Sequence, residues 1–282
     1  MMTVTASLRS NRWRVIRRSA TFWVGGFIVL MWVVFAVFGD FVTPYDPQGT
    51  PQDLLTRLQP PSAEHWFGTD SLGRDVLSRV LAGARRVLTV SLSATLLGTI
   101  AGTTLGLVIG YFGGIVDDII SRVLDAFLSI PLVITGMLAL AALGANELGV
   151  IIVIGLVFTP IIAKTVRAAV LGERQLDYVT AAQLRKENPF YVLFVEILPN
   201  VFGVVIVEFT VRLGYAIFTV LALSFLGFGI EPSIPDWGLM INQHRGQLTG
   251  NIWWPVLFPS LAIASLVVGV NLLADAMSQA FE

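Results

Sequence analysis

The chain has 282 residues, of which 55% are hydrophobic and only 13% are charged, and its mean hydropathy is +0.77. A soluble domain carries about 25% charged residues, so this composition excludes an ordinary soluble globule. The net charge of -1 argues against a nucleic-acid-binding protein. The sequence has no cysteine, which excludes disulfides, thiolate nucleophiles and cysteine-ligated metal sites.

Uncharged runs of bilayer length predict six transmembrane helices. A helix that spans the hydrocarbon core needs roughly 20 mostly apolar residues. Five runs reach or approach that length, and the shorter fourth run is flanked by Glu147 and Lys164, whose side chains can reach the interface. The runs cover 19–39, 87–116, 126–146, 148–163, 213–230 and 246–274, with the fifth helix starting near Val201. We therefore predict an all-α polytopic membrane protein.

Basic residues at the amino terminus predict the orientation in the membrane. Five arginines and no acidic residue precede the first span, so the positive-inside rule places this end in the cytoplasm. Six spans then return the carboxyl terminus to the cytoplasm. The first apolar run is too long for a typical signal peptide, and no A-x-A-like cleavage site follows it. The arginines are Arg9, Arg12, Arg14, Arg17 and Arg18.

These assignments divide the chain into three parts. Residues 1–39 form the basic arm and the first span, 40–86 an extracytoplasmic segment, and 87–282 a core of five helices. Prolines predict an extended start for the second part, and its half from Leu72 to Arg86 is predicted to be an interfacial helix that leads into the second span. The core contains a polar cytoplasmic segment, 164–199, and an outer loop, 229–253.

Five glycines recur at a spacing of four along the second span. Small residues at this spacing let another helix approach closely. We predict a helix–helix seam there, either within the chain or against a partner subunit. The glycines are Gly98, Gly102, Gly106, Gly110 and Gly114.

Two charged residues interrupt the start of the fifth span. Glu208 and Arg212 are four residues apart, so they share one helix face and can pair. Two interpretations stay open: a structural ion pair between helices, or a pair that lines a polar pathway.

Signatures of catalysis are absent from the sequence. There is no G-x-x-x-x-G-K-[ST] phosphate loop, and neither lysine, Lys164 or Lys186, follows a glycine. There is also no H-E-x-x-H or G-x-S-x-G motif. His65 and His244 lie in separate outer segments and do not indicate a metal pair. The pattern favours a transport component that does not itself hydrolyse ATP; a secondary transporter or channel is the alternative, although no internal repeat is visible.

The 164–199 segment is too polar for a span and predicts short helices outside the bilayer. The pair Asn188-Pro189 is expected to break them, because proline disfavours helical geometry in the residue before it and suits the first turn of a new helix. Ala181 and Ala182 offer a smooth surface for another protein. An ordinary solvated loop is the alternative.

Motifs along most of the chain resemble those of a transporter family. The run Asp177-Tyr178-Val179-Thr180-Ala181-Ala182, with Ile197-Leu198-Pro199-Asn200 after it, resembles the EAA loop of bacterial ABC importer permeases. Other blocks resemble the dipeptide/oligopeptide subgroup: Pro44-Tyr45-Asp46-Pro47, His65-Trp66-Phe67-Gly68-Thr69-Asp70-Ser71-Leu72-Gly73-Arg74-Asp75, Ala222-Leu223-Ser224-Phe225-Leu226-Gly227, Trp237-Gly238, Trp253-Trp254, Phe258-Pro259 and Asn271-Leu272-Leu273.

This resemblance implies a type I ABC importer permease in a bacterial inner membrane. The expected partners are a homologous second permease, two ATPase subunits that bind ATP and Mg²⁺, and an extracytoplasmic peptide-binding protein; the permease itself binds no cofactor. Import of dipeptides or oligopeptides is expected, with glutathione or nickel as alternatives. The ATPase contact falls on Asp177, Tyr178, Thr180, Ala181, Ala182 and Lys186, and contact with the binding protein or an external gate on Asp70, Arg74, Asp75, Trp237 and Arg245.

The sequence departs from the family pattern at two positions of the coupling loop. Thr180 stands where the family has a glutamate before the two alanines, and Lys186 stands where a glycine is expected at the turn. Because glycine serves where φ is positive, the turn is expected to shift toward Asn188. A charge introduced at Ala182 is expected to uncouple ATP hydrolysis from uptake.

Overall fold

The computed structural model describes residues 19–48, 56–144, 146–228 and 233–281. The secondary structure of these residues is helical and includes no β-strand. The amino-terminal arginines lie outside the described residues. Nine helices are numbered here in chain order. They are α1 (Ala20–Val42), α2 (Val76–Phe112), α3 (Gly114–Leu128), α4 (Leu132–Leu143), α5 (Glu147–Glu173), α6 (Asp177–Leu184), α7 (Pro189–Phe225, with a π-helical stretch at Val192–Ile197), α8 (Trp237–His244) and α9 (Trp254–Phe281).

Helices α1, α2, α5, α7 and α9 are each long and apolar enough to cross a membrane. Helices α3 and α4 together give a sixth crossing if the pair counts as one span. The pair is bent by 88°, so the third span predicted for 126–146 begins earlier, at Gly114, and is interrupted by a break. Pro131 explains the break, because it disfavours helical geometry at Ile130 and begins α4 as its amino-terminal cap.

The charged ends of the spans extend the helices beyond the uncharged runs. Helix α2 begins at Val76, where Asp75 caps it by accepting a hydrogen bond from the Ser78 backbone N–H at 2.8 Å. The predicted interfacial helix is therefore not a separate element but the first turns of α2. Helix α5 likewise continues to Glu173, so only the short turn around α6 separates it from α7.

The glycine seam packs within the chain, between α2 and α5. A Cβ added at Gly102 would lie 2.7 Å from the Ile162 Cβ, and one at Gly106 would lie at the same distance from the Val166 Cβ. Gly98 and Gly110 meet α5 in the same way. Gly114 does not belong to the seam, because it begins α3 with nothing within 4 Å of its added Cβ.

Two large apolar clusters and one small one, around Leu124, lie in the described part of the chain. One surrounds α5 and contains Phe158, Leu140 of α4, and Val179 of α6. The other lies between α1, the start of α2, α8 and α9, where the Trp32 ring centroid is 4.8 Å from that of Trp237. The first cluster therefore supports α6, and the second supports the segments at the opposite end of α2.

Candidate functional site

Helix α6 lies in the turn between α5 and α7, with one face on the core. Val179 and Ala182 are fully buried, while Tyr178 is half-buried and donates its hydroxyl to Glu173 Oε2 at 2.6 Å. Burial, with the Glu173 carboxylate beside it, raises the pKa of Tyr178 above its ordinary value, so the phenol stays protonated and keeps donating. These contacts attach α6 to the end of α5.

The opposite face of α6 is exposed. Leu184 is 79% exposed and Leu176, just before the helix, 47%. Asp177, Thr180, Ala181 and Lys186 are also exposed, whereas Ala182 is buried inside the chain. Of the two alanines predicted to contact a partner, only Ala181 is available. The expectation for Ala182 is therefore corrected: a charge there would disrupt the packing of α6 on its own core.

Lys186 itself closes the turn after α6, with φ of 54° in the left-handed region. Its N–H donates to the Gln183 carbonyl at 2.9 Å, and the Glu187 N–H donates to the Ala182 carbonyl at 3.2 Å. This pair of bonds is a Schellman motif, which usually has glycine at the left-handed position. The expected shift of the turn toward Asn188 is wrong; Asn188 instead caps α7 by accepting from the Phe190 N–H.

At the other end of α2, charged side chains form a buried network that ties residues 56–79 to the helices, and we call it the outer network. Asp70 is fully buried and accepts from the Arg74 Nε at 2.8 Å, while Arg79 Nε lies 3.8 Å away. His65 Nδ1 lies 2.9 Å from Asp75 Oδ1. The side chains of Asp70, Arg74 and Asp75 therefore hold the segment together and are not presented to a partner.

Helix α8 belongs to the same network. Trp237 is fully buried and donates its indole N–H to the Val80 carbonyl at 2.8 Å, which also removes it from a partner surface. Asp236 caps α8, and burial raises the pKa of its carboxyl. Of the residues predicted for the external contact, Arg245 is exposed, with its guanidinium carbon 5.3 Å from the Phe225 ring centroid.

His244 connects α8 to the outer segment. Its Nδ1 lies 2.7 Å from the Met240 carbonyl, which can only accept, so Nδ1 carries the proton. Its Nε2 is then the acceptor that faces Ser71, whose Oγ is 3.2 Å away. Burial lowers the pKa of His244, so the ring is neutral in the fold.

Comparison with known proteins identifies the family. Residues 102–282 match the binding-protein-dependent transport system inner membrane component family, and residues 7–61 match the N-terminal transmembrane domain of oligopeptide transport permease C. The chain belongs to this family of ABC importer permeases. The permease is therefore a multi-pass protein of the inner membrane.

Named relatives cover nearly all of the permease. It is 36% identical over 266 residues to a di/tripeptide transport system permease protein of Pseudomonas aeruginosa, across 92% of this chain and 87% of the relative. It is 37% identical over 272 residues to a glutathione transport system permease protein of Salmonella typhimurium, across 96% and 88%. The solved MetNI methionine ABC transporter in an inward-facing conformation has a TM-score of 0.56 and 18% identity, over 72% of this chain and 96% of that one. This last likeness supports the type I permease fold.

The charge pair predicted in the fifth span forms within α7 of the permease. Arg212 Nε donates to Glu208 Oε2 at 2.9 Å, and the two side chains are 16% and 14% exposed. The Arg212 guanidinium carbon also lies 5.4 Å from the ring centroid of Tyr215, which is 57% exposed. The pair is thus satisfied within one helix, at the border of an exposed aromatic face.

Sequence reasoning missed the ion pairs between α3 and α5, Asp117 with Arg167 and Asp125 with Lys164. The recurrence of polar residues at Asp117, Ser121 and Asp125 could have indicated a polar helix face, but it lay between two uncharged runs. Within the described ranges, no three His, Cys, Asp or Glu side chains are grouped to hold a metal ion.

Proposed function

We propose that the permease forms half of the translocation pathway of an ATP-driven peptide importer. Its partners in this proposal are a homologous second permease, two ATPase subunits and an external peptide-binding protein. The di/tripeptide and glutathione permeases among its relatives support this substrate class, since both cargoes are short chains of amide-linked amino acids with charged ends. The relatives favour peptides over nickel, and glutathione is the second candidate.

We infer that an ATPase subunit docks on α6 and so couples ATP hydrolysis to transport. The exposed face of α6 is the observation that supports this docking. A partner that covers Leu184, Ala181 and Thr180 would remove apolar surface from water, and that removal stabilises association. The polar neighbours Asp177 and Lys186 would then set the orientation of docking. In this proposal ATP and Mg²⁺ are held by the ATPase subunits, in keeping with the lack of a phosphate loop in this sequence.

Two further assignments belong to the proposal. Arg245, exposed at the end of α8, would contact the binding protein. Glu208 and Arg212 would lie beside the pathway, where charged groups at membrane depth are tolerated because they neutralise one another.

Reconstitution tests the function. The permease is purified with the proteins encoded beside it and placed in proteoliposomes, and uptake of a radiolabelled dipeptide is measured with ATP, without ATP, and with excess glutathione or Ni²⁺. ATP-dependent dipeptide uptake supports the proposal. Uptake that follows an ion gradient without ATP would indicate a secondary transporter. ATP-dependent uptake of labelled glutathione or Ni²⁺, with none of the dipeptide, would assign that cargo instead.

Labelling tests the orientation. The sequence has no cysteine, so Ser62→Cys and Gln183→Cys each introduce a single thiol at an exposed position. An impermeant maleimide applied to intact spheroplasts should label only the first. Labelling of both from one side contradicts the arrangement of spans.

A further inference from the structure

Helix α3 has little apolar packing to hold it. Among its described residues only Asp117 and Leu124 are buried. Leu124 packs with Ile109 of α2 and Ala163 of α5, while other apolar side chains of α3, such as Ile115 at 76% exposure, lie outside the core. The position of α3 on α5 therefore depends strongly on polar contacts.

Two ion pairs provide these contacts. The Arg167 guanidinium donates from Nε and Nη2 to the two oxygens of Asp117, both at 2.5 Å, and Ser121 donates to the same carboxylate at 2.9 Å. The Asp117 side chain is only 11% exposed. A two-point, charge-assisted pair fixes orientation as well as distance. Farther along α3, Lys164 pairs with Asp125.

The helix that holds α3 also holds α6. Glu173, at the end of α5, accepts the hydroxyl hydrogen bond of Tyr178 in α6. Arg174, the next residue, covers the corner between α2 and α3, since its Nη1 lies 2.8 Å from a Cβ added at Gly113. A displacement of α6 would therefore move the end of α5, close to the Arg167 side chain that holds α3.

The bend between α3 and α4 links a movement of α3 to α7. Helix α3 meets α4 at 88°, and α4 packs on α7, where a Cβ added at Gly136 would lie 3.5 Å from Leu223 Cδ2. Movement of α3 with α5 would swing α4 against the Leu223 end of α7, far along that helix from the α6 turn.

We propose that Asp117 and Arg167 are positioning residues for transport: their ion pair holds α3 to α5, so that a displacement of α6 reaches the bent α3–α4 pair and α7. This inference rests on the proposed docking of an ATPase subunit at α6. Asp125 and Lys164 support the same attachment.

Asp117→Asn in the reconstituted complex tests this role. It keeps the shape of the side chain but weakens the charge-assisted pair, so ATP hydrolysis should stay within about twofold of wild type while the ATP consumed per dipeptide imported rises about tenfold. The charge exchange Asp117→Arg with Arg167→Asp should restore tight coupling. The matched control is Arg122→Gln, because Arg122 is an exposed charge on α3 whose guanidinium makes no hydrogen bond or ion pair within the described residues. Wild-type stoichiometry in Asp117→Asn, or equal uncoupling in Arg122→Gln, would overturn the proposal.

A distance measurement separates this role from loss of folding. Spin labels at Ile119→Cys and Gly172→Cys, both at exposed positions, report the placement of α3 on α5. The distribution should be narrow with and without trapped nucleotide and should broaden in Asp117→Asn. A narrow distribution in Asp117→Asn overturns the proposal even if α6 docks an ATPase. Loss of docking is tested separately with a variant of Ala181, which should leave the distances between α3 and α5 unchanged.

Discussion

The outer network and the turn that contains α6 lie at opposite ends of α2 and α5, and they differ in whether charged and apolar side chains are buried or exposed. In the outer network Asp70, Arg74 and Arg79 are buried and meet one another. At the α6 turn the charged side chains are exposed, and so are large apolar ones such as Leu184 and Phe190. A buried charge needs a partner within reach, and an exposed apolar side chain leaves surface that association can remove from water.

This contrast indicates how the two ends differ in function. At the outer end, Asp70, Arg74 and Asp75 are hydrogen-bonded within their own chain, although the buried Arg79 Nε has no hydrogen-bond partner among the described residues. The α6 end has the composition of a surface that another protein covers. Variants at the two ends should therefore fail differently: the outer ones in folding, and the α6 ones in activity.

The largest effect is expected at Asp70. Asp70→Ala removes the carboxylate that accepts from Arg74 and leaves both Arg74 and Arg79 buried without it, which should cost about 3–5 kcal/mol of stability. Thermal unfolding of the purified permease should show a much lower midpoint and a reduced yield. Glu64→Gln is the matched control, since Glu64 is exposed and its carbonyl, not its side chain, accepts from Tyr45. An unchanged midpoint in Asp70→Ala would show that the outer network does not stabilise the fold.

The next largest effect separates the two alanines of α6. Ala181→Arg places a bulky charge on the exposed face and should lower ATP-dependent uptake about tenfold or more with an unchanged melting midpoint. Ala182→Asp buries a charge and should lower the midpoint as well. Uptake and thermal unfolding are measured on both. If Ala181→Arg transports normally, α6 is not the docking surface.

A smaller effect is expected from protonation of His244. Because the folded pKa of His244 is below its unfolded value of about 6.5, the folded state binds fewer protons, and stability present above that pH is lost as the pH falls toward the lowered pKa. Protonation of Nε2 also ends its acceptance from Ser71. Asp70 opposes the lowering, while Arg74 and Arg79 add to it. The melting midpoint should fall between pH 7.5 and 5.5, and His244→Gln should flatten the change. An identical slope in that variant would contradict the assignment.

The smallest effect is expected at Lys186. A side chain in the left-handed region costs roughly 1 kcal/mol relative to glycine, so Lys186→Gly should stabilise the turn by up to about that amount. Hydrogen exchange of the Glu187 amide, which donates to Ala182, should slow. Lys186→Ala keeps the Cβ and removes the charge, so it should bring no such gain. Slower exchange in both variants would assign the effect to the lysine charge instead.

The sequence predicted the parts of the fold that depend on local composition. Uncharged runs located the long helices, and the glycine spacing located the α2–α5 seam. The bend between α3 and α4 was missed because the length of an uncharged run does not show where a helix breaks. Pro131 causes that break. Helix ends were misplaced where charged residues such as Lys164 and Arg167 continue α5 beyond the apolar run.

The candidate site was predicted by position but not by orientation. The motif located α6, yet only the packing shows that Ala182 faces inward and Ala181 outward. The same holds for Asp70 and Trp237, which looked like surface residues of a polar segment and are fully buried. The Asp117–Arg167 pair joins residues far apart in the chain, and a single sequence does not show which charges meet.

Helix α2 has 37 residues and is therefore about 55 Å long, well beyond the roughly 30 Å of the hydrocarbon core. Its first turns carry Arg79 within the outer network, and its last residue adjoins the corner that Arg174 covers. The helix is therefore long enough to cross the hydrocarbon core and still project beyond it. In the proposed importer, a displacement of the outer network at one end of α2 would move the same continuous helix that ends at the α3 corner.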